Sequence, residues 1–472
     1  MKKGIYLLGL GVLLLLCMDL QAKVRLPHFF SSNMVLQRDM PIRVWGKADK
    51  NEVISVALNG SVQTAKTGKD GIWRVELPAM KAGGPYDMQI ESAEETIGLT
   101  NILIGDVWVC SGQSNMEFGL NNVINAGQEI AASTLPDIRL LNVPKNMQSK
   151  EQFDLEPCEW TACNPQTSPL FTAVGYFFGK ELQPEIGVPV GLIHTSWGGT
   201  DIETWTSWET AVKTNDTYKK YAGKDQEKAM GYSMDNIRLY KEALKKDKGL
   251  VQKWYVPAYK TKGWKTMAVP KVWEAELANE DGIVWFRKTI DLPAGVTGKK
   301  ARINLGAVDD EDLTYVNGVK VGEMNFWMPN RSYEIPAGVL KGGNNVIAVR
   351  ITDTGGLGGI LGKAEEVYLE IDGQRYSLAG DWVYKPSVVT SMYKVSGISP
   401  NSFSSLLYNG MVHPLIGYGI KGVIWYQGEN NVGFDEQYRV LFQSMITDWR
   451  RAWKQDFPFY FVQLANYLKP EE

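Results

Sequence analysis

The feature that most constrains the fold is a change of hydrophobic pattern that recurs along the chain. Residues 102–240 alternate buried-type strands, such as ILIGDVWVC and VPVGLIHTS, with helical stretches such as FTAVGYFFGKELQPEI. Strands that alternate with helices favour a parallel sheet with helices on its faces. The alternation stops near residue 256 and resumes after residue 396. We therefore predict one α/β domain whose sequence is split by an insertion.

The remaining regions have the period-two alternation of antiparallel strands. The leading region contains the hairpin pair Asn59-Gly60, and the insertion contains the equivalent pair Asn317-Gly318. The predicted organisation is a signal peptide (1–22), an N-terminal β-sandwich domain (23–101), the first part of the α/β domain (102–255), an inserted β domain (256–395) and the second part of the α/β domain (396–472).

The first 22 residues have the pattern of a secretory signal. Two lysines precede a short apolar run that ends at Leu16, and a polar end follows. The run is too short to cross a bilayer. Leu16 is not the small residue that a lipoprotein signal needs before Cys17, so lipid anchoring is not expected. We expect a secreted or periplasmic protein with no membrane span.

Composition and spacing exclude several classes of ligand. The net charge of -3 provides no basic field, so we expect no nucleic-acid partner. No His/Cys/Asp/Glu group has metal-ligand spacing, and no phosphate-cradling glycine loop follows a strand, so neither metal nor cofactor is predicted. Cys158 and Cys163 fit a disulfide and two thiols equally well, and Cys110 is expected to be a buried thiol. The oligomeric state is not indicated.

Three loops stand at the predicted carboxyl ends of strands, where open parallel sheets bind their ligands. They are loop A (111–114, SGQS), loop B (196–200, SWGGT) and loop C (427–430, QGEN). In loop A, Ser114 is interpretable in two ways. It forms an S-x-x-E capping box with Glu117, or it is a nucleophile at the N-terminus of a helix.

Loops B and C contain groups suited to stabilising an oxyanion. The amide of Gly199 can approach a reacting carbon without a side chain in the way, and the carboxamide of Gln427 is a neutral donor. Glu429 would repel an oxyanion, so we assign it a positioning role. The alternatives are that Gly198-Gly199 is only a tight turn and that Gln427 only anchors its loop.

The motifs GQSNME, SWGGT-x-IE-x-W, NGM-x-HPL and IKG-x-IWYQGEN resemble those of the sialate O-acetylesterase family, in the SGNH/GDSL-type serine hydrolase superfamily. The resemblance covers most of the sequence after residue 22. It implies an SGNH-type three-layer α/β domain with a parallel sheet, an N-terminal β-sandwich domain and an inserted jelly-roll, galactose-binding-like β domain. It also implies hydrolysis of acetyl esters on sugars, usually sialic acid, through an acyl-enzyme.

The family's catalytic residues fall on Ser114 as nucleophile and on Gly199 and Gln427 as oxyanion donors. Asp201 stands where relatives usually have proline, and it is expected either to alter sugar recognition or to cap the next turn. Further residues are predicted to bind or position an O-acetylated sugar: Gln113, Asn115, Trp197, His413, Glu429 and Asn430.

The general base is not identified by the sequence. The superfamily places it in an Asp-x-x-His motif downstream of loop C, but no histidine follows Gln427. We predict structural roles for His28 and His194, and a structural or supporting role for His413 rather than that of base. The sequence is therefore expected to be an incomplete version of a family protein with little activity, because loss of one triad member removes most of the rate.

Three other functions are compatible with the sequence. One is an acetylxylan-type esterase, and another is a non-catalytic glycan-binding protein that uses the inserted β domain. The third is a glycosidase that uses Asp309, Asp310 and Asp312, although a solvated turn or a cation site accounts for these residues equally well.

Overall fold

The computed structural model describes residues 24–277, 280–325, 330–395 and 399–465. The predicted signal peptide lies outside them. The chain forms two units, one made of the residues up to 223 and from 403 onward, the other of residues 224–402. Among the described residues, no helix has the length and apolar character required to cross a bilayer.

The first unit begins with most of its strands and several short helices. The strands are β1 (Val35–Gln37), β2 (Ile42–Lys47), β3 (Val53–Leu58), β4 (Ser61–Lys66), β5 (Ile72–Leu77), β6 (Gly83–Glu91), β7 (Thr96–Gly112), β8 (Leu135–Asn142), β9 (Thr161–Cys163) and β10 (Val190–Ser196). The helices are α1 (Ser114–Glu117), α2 (Ala126–Ala131), α3 (Ala173–Ile186), α4 (Trp208–Thr214) and α5 (Asp216–Lys219).

The second unit is predominantly β. Its helices are α6 (Gln226–Met230), α7 (Met234–Lys245), α8 (Lys248–Val251) and α9 (Glu274–Leu277). Its strands are β11 (Lys265–Val269), β12 (Lys271–Val272), β13 (Gly282–Leu292), β14 (Ala301–Asp309), β15 (Glu311–Val316), β16 (Val319–Met324), β17 (Asn330–Ile335), β18 (Gly343–Asp353), β19 (Gly359–Ile360), β20 (Val367–Ile371), β21 (Gln374–Ser377) and β22 (Gly380–Val389).

The chain then returns to the first unit with β23 (Gly422–Tyr426), α10 (Asp435–Trp453) and β24 (Phe459–Phe461). Single-turn elements complete the structure. They are the 3₁₀ helices Leu120–Asn122, Ile202–Trp205, Ala294–Val296, Ala364–Glu366, Thr390–Tyr393, His413–Leu415 and Glu429–Asn431, and a π-helical turn at Tyr408–Val412.

Strand β7 organises the ten-stranded sheet of the first unit. Its first half pairs antiparallel with β6, and its second half pairs parallel with β10 and β23. Strands β8 and β24 extend the parallel part on either side. The sheet is therefore mixed instead of wholly parallel. The predicted domain boundary between residues 101 and 102 falls inside β7, because one strand of 17 residues serves both parts.

The second half of β7 is buried on both faces, as expected for a strand inside a parallel sheet. Val107 and Val109 belong to one apolar cluster, while Trp108 and Cys110 belong to another. Since successive side chains of a strand point to opposite faces, these clusters lie on the two sides of the sheet.

One helix packs into each of these clusters. On α10, residues four apart are buried in the first cluster: Leu441, Met445, Trp449 and Trp453. On α3, Ala173 and Tyr176 are buried in the second cluster. Helices on both sides of a central mixed sheet confirm the predicted α/β class.

The second unit contains two six-stranded sheets in the described residues. Val284 and Ile347 of one sheet and Ile303 and Leu369 of the other belong to a single apolar cluster. The extra β region that the sequence predicts is therefore present.

Helix α7 also belongs to the second unit, although the sequence-based boundaries place residues 224–255 with the α/β domain. Its apolar stripe accounts for the difference. Ile237 and Tyr240 are buried in a cluster with Trp285 of β13 and Val388 of β22. The periodicity predicts the helix but does not indicate which sheet its apolar face covers.

Candidate active site

Loops A, B and C leave the same edge of the central sheet. In the parallel pairing of β7 with its two neighbours, Gly112 is in register with both Ser196 and Tyr426. The three strands therefore end at one level, and the loops after them meet. This is the arrangement that the strand-end rule predicts.

Gly112 allows β7 to turn within this crowded position. Its φ is +144°, a backbone conformation that residues other than glycine rarely adopt. A Cβ atom on Gly112 would lie 2.0 Å from the carbonyl oxygen of Tyr426. The glycine is thus required by the close approach of β23.

Gln113 connects loop A to loop C. Its amide donates to the carbonyl oxygen of Tyr426 at 2.9 Å. Its side-chain oxygen accepts hydrogen bonds from the amides of Gly428, at 3.2 Å, and Asn430, at 3.3 Å. Because Gln113 is buried, these bonds support the predicted positioning role.

Ser114 is exposed and begins helix α1. The capping-box alternative is wrong, because Gln113 occupies the N-cap and no side chain caps the helix. The carboxylate of Glu117 turns away instead. It accepts a hydrogen bond from the Gly198 amide at 2.5 Å and pairs with Lys145 Nζ at 2.5 Å.

Loop B runs directly beside the serine. A Cβ atom on Gly198 would lie 3.4 Å from the Ser114 Cβ. Trp197 donates its amide to the Gly112 carbonyl oxygen at 3.1 Å. Gly199, the predicted oxyanion donor, follows with a φ of +71°. The structure thus brings loop B to Ser114, with the backbone of Gly198 directly beside it.

Gln427 has a different set of contacts from the one predicted for it. Its side-chain nitrogen donates to the Thr200 carbonyl oxygen at 3.0 Å and to Asn431 Oδ1 at 2.7 Å. Both amide hydrogens are thereby engaged within the protein. Gln427 thereby joins loops B and C, and its role as an oxyanion donor stays a prediction.

The remaining residues of loop C contact residues that directly follow the other two loops. Asn115 donates to Glu429 Oε1 at 2.5 Å, in agreement with positioning roles for both. Asn430 donates to Asp201 Oδ1 at 2.5 Å. The carboxylate of Asp201 does not cap the following turn, so the capping alternative for this residue is wrong. Burial raises the pKa of Asp201.

Sequence reasoning missed three residues that hold the loops in place. Asn431 accepts the Ile202 amide at 3.0 Å and donates to Glu203 Oε2 at 3.1 Å. Burial raises the pKa of Glu203. Lys145 Nζ lies 5.2 Å from the centre of the Trp197 ring while it pairs with Glu117. No motif contains Lys145, whereas Glu203 and Asn431 adjoin loops B and C and were detectable there.

The three imidazoles of the chain bond to groups other than Ser114. His28 Nδ1 lies 2.8 Å from Asp154 Oδ2. His194 contacts Asn142 Oδ1 at 2.9 Å and Ser196 Oγ at 2.6 Å. His413 contacts the Gln152 carbonyl oxygen at 2.8 Å. Among the described residues, none of the three imidazoles is therefore hydrogen-bonded to the Ser114 hydroxyl.

His194 gives the protein a pH-dependent stability term. Burial lowers the pKa of His194 to about 4, so the unfolded chain takes up this proton at a higher pH than the folded chain. The associated stability is present above about pH 6.5 and is lost as the pH falls toward 4. We expect a loss of about 1–2 kcal/mol between pH 7 and pH 5.

Urea unfolding of the wild type and of His194→Gln at both pH values measures this term. The variant should lose less free energy of unfolding over this interval than the wild type. An equal loss in both proteins would show that the imidazole is not held neutral.

The cysteines and Asp312 lie outside loops A, B and C. In the described residues, Cys110, Cys158 and Cys163 are thiols, and burial raises the pKa of Cys158 and Cys163 to about 12. No group of three or more metal-ligating side chains occurs there. Asp312 accepts hydrogen bonds from Arg331 Nε at 2.9 Å and from the Tyr333 hydroxyl at 2.7 Å.

The structure is that of an α/β protein with a candidate hydrolase site. This site is an exposed serine at the carboxyl edge of a mixed sheet, between three loops that are hydrogen-bonded to one another. Comparison with known proteins shows which proteins the chain is similar to. Residues 104–240 match the family described as carbohydrate esterase, sialic acid-specific acetylesterase. Residues 251–356 match the second all-beta domain of beta-galactosidase.

The curated relatives include the sialate O-acetylesterases of Homo sapiens and Rattus norvegicus. The human protein is 32% identical over 221 residues, which cover 42% of this chain and 42% of that protein. The rat protein is 31% identical over 202 residues, which cover 39% of this chain and 37% of that protein. The matches thus span about two fifths of the length of these relatives.

A solved structure shares the fold. It is a carbohydrate acetylesterase from Xanthomonas citri, with a TM-score of 0.52 and 24% identity, covering 94% of this chain and 61% of that chain. Together with the sequence matches, these findings confirm the predicted resemblance to the sialate O-acetylesterase family. Its members are ester hydrolases, the class that the sequence predicts.

Proposed function

We propose that this protein hydrolyses O-acetyl esters on carbohydrate, with sialic acid as the preferred sugar and Ser114 as the nucleophile. The observation that carries the proposal is the exposure of Ser114 beside Gly198, between loops that are hydrogen-bonded to one another. The match of residues 104–240 to sialic acid-specific acetylesterases supports the substrate class. Further parts of the proposal are an SGNH-type three-layer domain, a jelly-roll insertion and export of the protein.

The chemistry proceeds by acyl transfer. The Ser114 Oγ attacks the acetyl carbonyl carbon, and the developing oxyanion accepts hydrogen bonds from backbone amides, for which those of Ser114 and Gly199 are proposed. Collapse of the tetrahedral intermediate releases the sugar hydroxyl and leaves an acetyl-enzyme. Water then attacks this ester, releases acetate and restores the serine.

The Ser114 hydroxyl needs a base, and the three imidazoles of the chain bond elsewhere. The base implied by the family resemblance, an Asp-x-x-His motif, therefore remains the proposed one. Below, the base-carrying form means a protein that contains this sequence together with a downstream Asp-x-x-His motif. Without it we expect only the residual rate that binding and the oxyanion site provide.

Acetate release tests the function. The base-carrying form is offered O-acetylated N-acetylneuraminic acid and acetylated xylan at equal acetyl concentration. We expect a higher kcat/KM on the sialic acid. Faster release from xylan would replace the substrate assignment by the acetylxylan alternative, and no release from either would contradict the hydrolase assignment.

Glu117 is expected to support the reaction by fixing loop B. Removing its carboxylate in Glu117→Ala leaves the Gly198 amide without its acceptor, so the neighbouring amides are less well placed. We expect kcat to fall by about 10-fold or more with a smaller change in KM, since small displacements of catalytic groups are costly. Acetate-release kinetics of the base-carrying form measure this effect.

Glu129→Ala is the matched control, because Glu129 pairs with Lys180 at 2.7 Å as Glu117 pairs with Lys145. This control should retain the wild-type kcat. Equal losses in the two variants would mean that the Glu117 effect is one of general stability.

A further inference from the structure

A cavity in the first unit, lined by residues outside loops A, B and C, carries features of a ligand site. Its volume is about 470 Å³, within the range of about 300–1,000 Å³ that small-molecule sites occupy. Strands β2 and β5 form one wall, and the segment around His413 forms another. Among the described residues, its lining includes none from loops A, B or C.

Trp45 and Phe153 supply aromatic surface to this cavity. Trp45 is partly buried on the outward face of β2, and its ring packs edge-on against Phe30 with centroids 4.8 Å apart. A Cβ atom on Gly417 would lie 3.5 Å from the Trp45 ring, so the glycine keeps space open beside it. Lys47 Nζ lies 4.5 Å from the centre of the Phe153 ring. The indole ring is thus held against Phe30 while part of it stays accessible, and the Lys47 ammonium lies over the Phe153 ring.

Polar groups surround the aromatic surface. Arg43 and Glu76 lie opposite each other on β2 and β5 and form an ion pair at 3.3 Å. Arg74 lies opposite Trp45 and 3.8 Å from Asp70. Each arginine of the lining therefore already has a carboxylate partner, and an anionic ligand would be opposed by these carboxylates. The charge distribution favours a neutral, hydroxyl-rich ligand.

From these features we propose that the cavity is a binding site for a neutral sugar ring, separate from the candidate active site. The apolar face of a pyranose packs on the Trp45 and Phe153 rings, as amphipathic ligands pack on aromatic side chains. Its hydroxyl groups bond the guanidinium of Arg43 and the carboxylate of Glu76, which supply donors and an acceptor side by side. This site requires neither Ser114 nor a general base, so it stands independently of the proposed hydrolysis.

Saturation-transfer difference NMR on the full 472-residue chain tests the site. The neutral probes are lactose, cellobiose and mannobiose, and the anionic probe is 3′-sialyllactose. We expect transfer to at least one neutral disaccharide, weakened at least about fivefold in Arg43→Met and in Phe153→Ala. Arg43 is exposed and Phe153 is partly buried. Melting curves verify that each variant is folded.

A matched control distinguishes binding in this cavity from binding elsewhere on the protein. Arg302→Met removes an equivalent cross-strand pair, Arg302 with Glu334 at 3.3 Å in the second unit, and should bind the probe as the wild type does.

Three results would overturn the proposal. They are no transfer to any neutral probe, transfer only to 3′-sialyllactose, and unchanged transfer in both cavity variants.

Discussion

Ser114→Ala is expected to lower kcat/KM for acetate release by at least about 10³-fold in the base-carrying form, because it removes the atom that becomes acetylated. Binding of the acetylated sugar should change little, since the hydroxyl is a small part of the contact surface. The measurement is acetate release from O-acetylated N-acetylneuraminic acid. A rate within tenfold of the wild type would contradict the role of Ser114.

In the 472-residue chain, Ser114→Ala should have almost no effect on the rate of acetate release. Groups that act as a unit are strongly non-additive, so if the base is the proposed Asp-x-x-His motif, the serine contributes little in a sequence that has no histidine after Gln427. Ser444→Ala is the control in both forms, because the Ser444 hydroxyl donates to Val440 on helix α10. A large effect of Ser114→Ala in the shorter chain would mean that one of its own residues serves as the base.

Gly112→Ala is expected to have the largest effect on stability. The new Cβ would lie 2.0 Å from the Tyr426 carbonyl oxygen, and the φ of +144° is unfavourable for alanine. Relief of the clash requires β7 and β23 to separate where loops A and C begin. Strain and overpacking together should lower the free energy of unfolding by about 3–5 kcal/mol.

Urea unfolding measures this loss, with Gly127→Ala as the matched control. Gly127 lies in α2, and its added Cβ would meet no atom within 4 Å. That substitution should stabilise the protein by up to about 1 kcal/mol, because alanine is the better helix former. An unchanged unfolding midpoint for Gly112→Ala would show that the close approach of Tyr426 is relaxed in solution.

The meeting of the three loops was predictable from the sequence alone. Each loop follows an apolar run of the buried-strand type, and the rule that ligands bind at the carboxyl ends of parallel strands places them at one edge. The hydrogen bonds from Gly428 and Asn430 to Gln113 confirm that loops A and C meet. Motif position was sufficient here because sheet topology fixes which loop ends are neighbours.

The direction of individual side chains was not predictable. Glu117 matches a capping box in sequence, but the neighbouring Gly198 amide and Lys145 draw its carboxylate away from the helix. Likewise, the side-chain amide of Gln427 donates hydrogen bonds to Thr200 and Asn431. Most of these partners are distant in sequence, and a local motif contains no information about them.

Domain limits were only partly predictable for a related reason. Local patterns identify β7 and α7 as a strand and a helix, but burial partners decide where each belongs. β7 pairs with both β6 and β10, so it crosses the expected boundary. Ile237 and Tyr240 of α7 are buried with Trp285 of the second unit.

The central claim is that loops A, B and C present Ser114 as the reactive nucleophile. Incubation of the base-carrying form with an alkyl fluorophosphonate, followed by mass spectrometry of its peptides, tests this directly. We expect one phosphonyl group per chain, located on Ser114, with loss of acetate release in proportion to labelling. Inactivation with the label on another residue and an unmodified Ser114 would contradict the role of Ser114 as nucleophile.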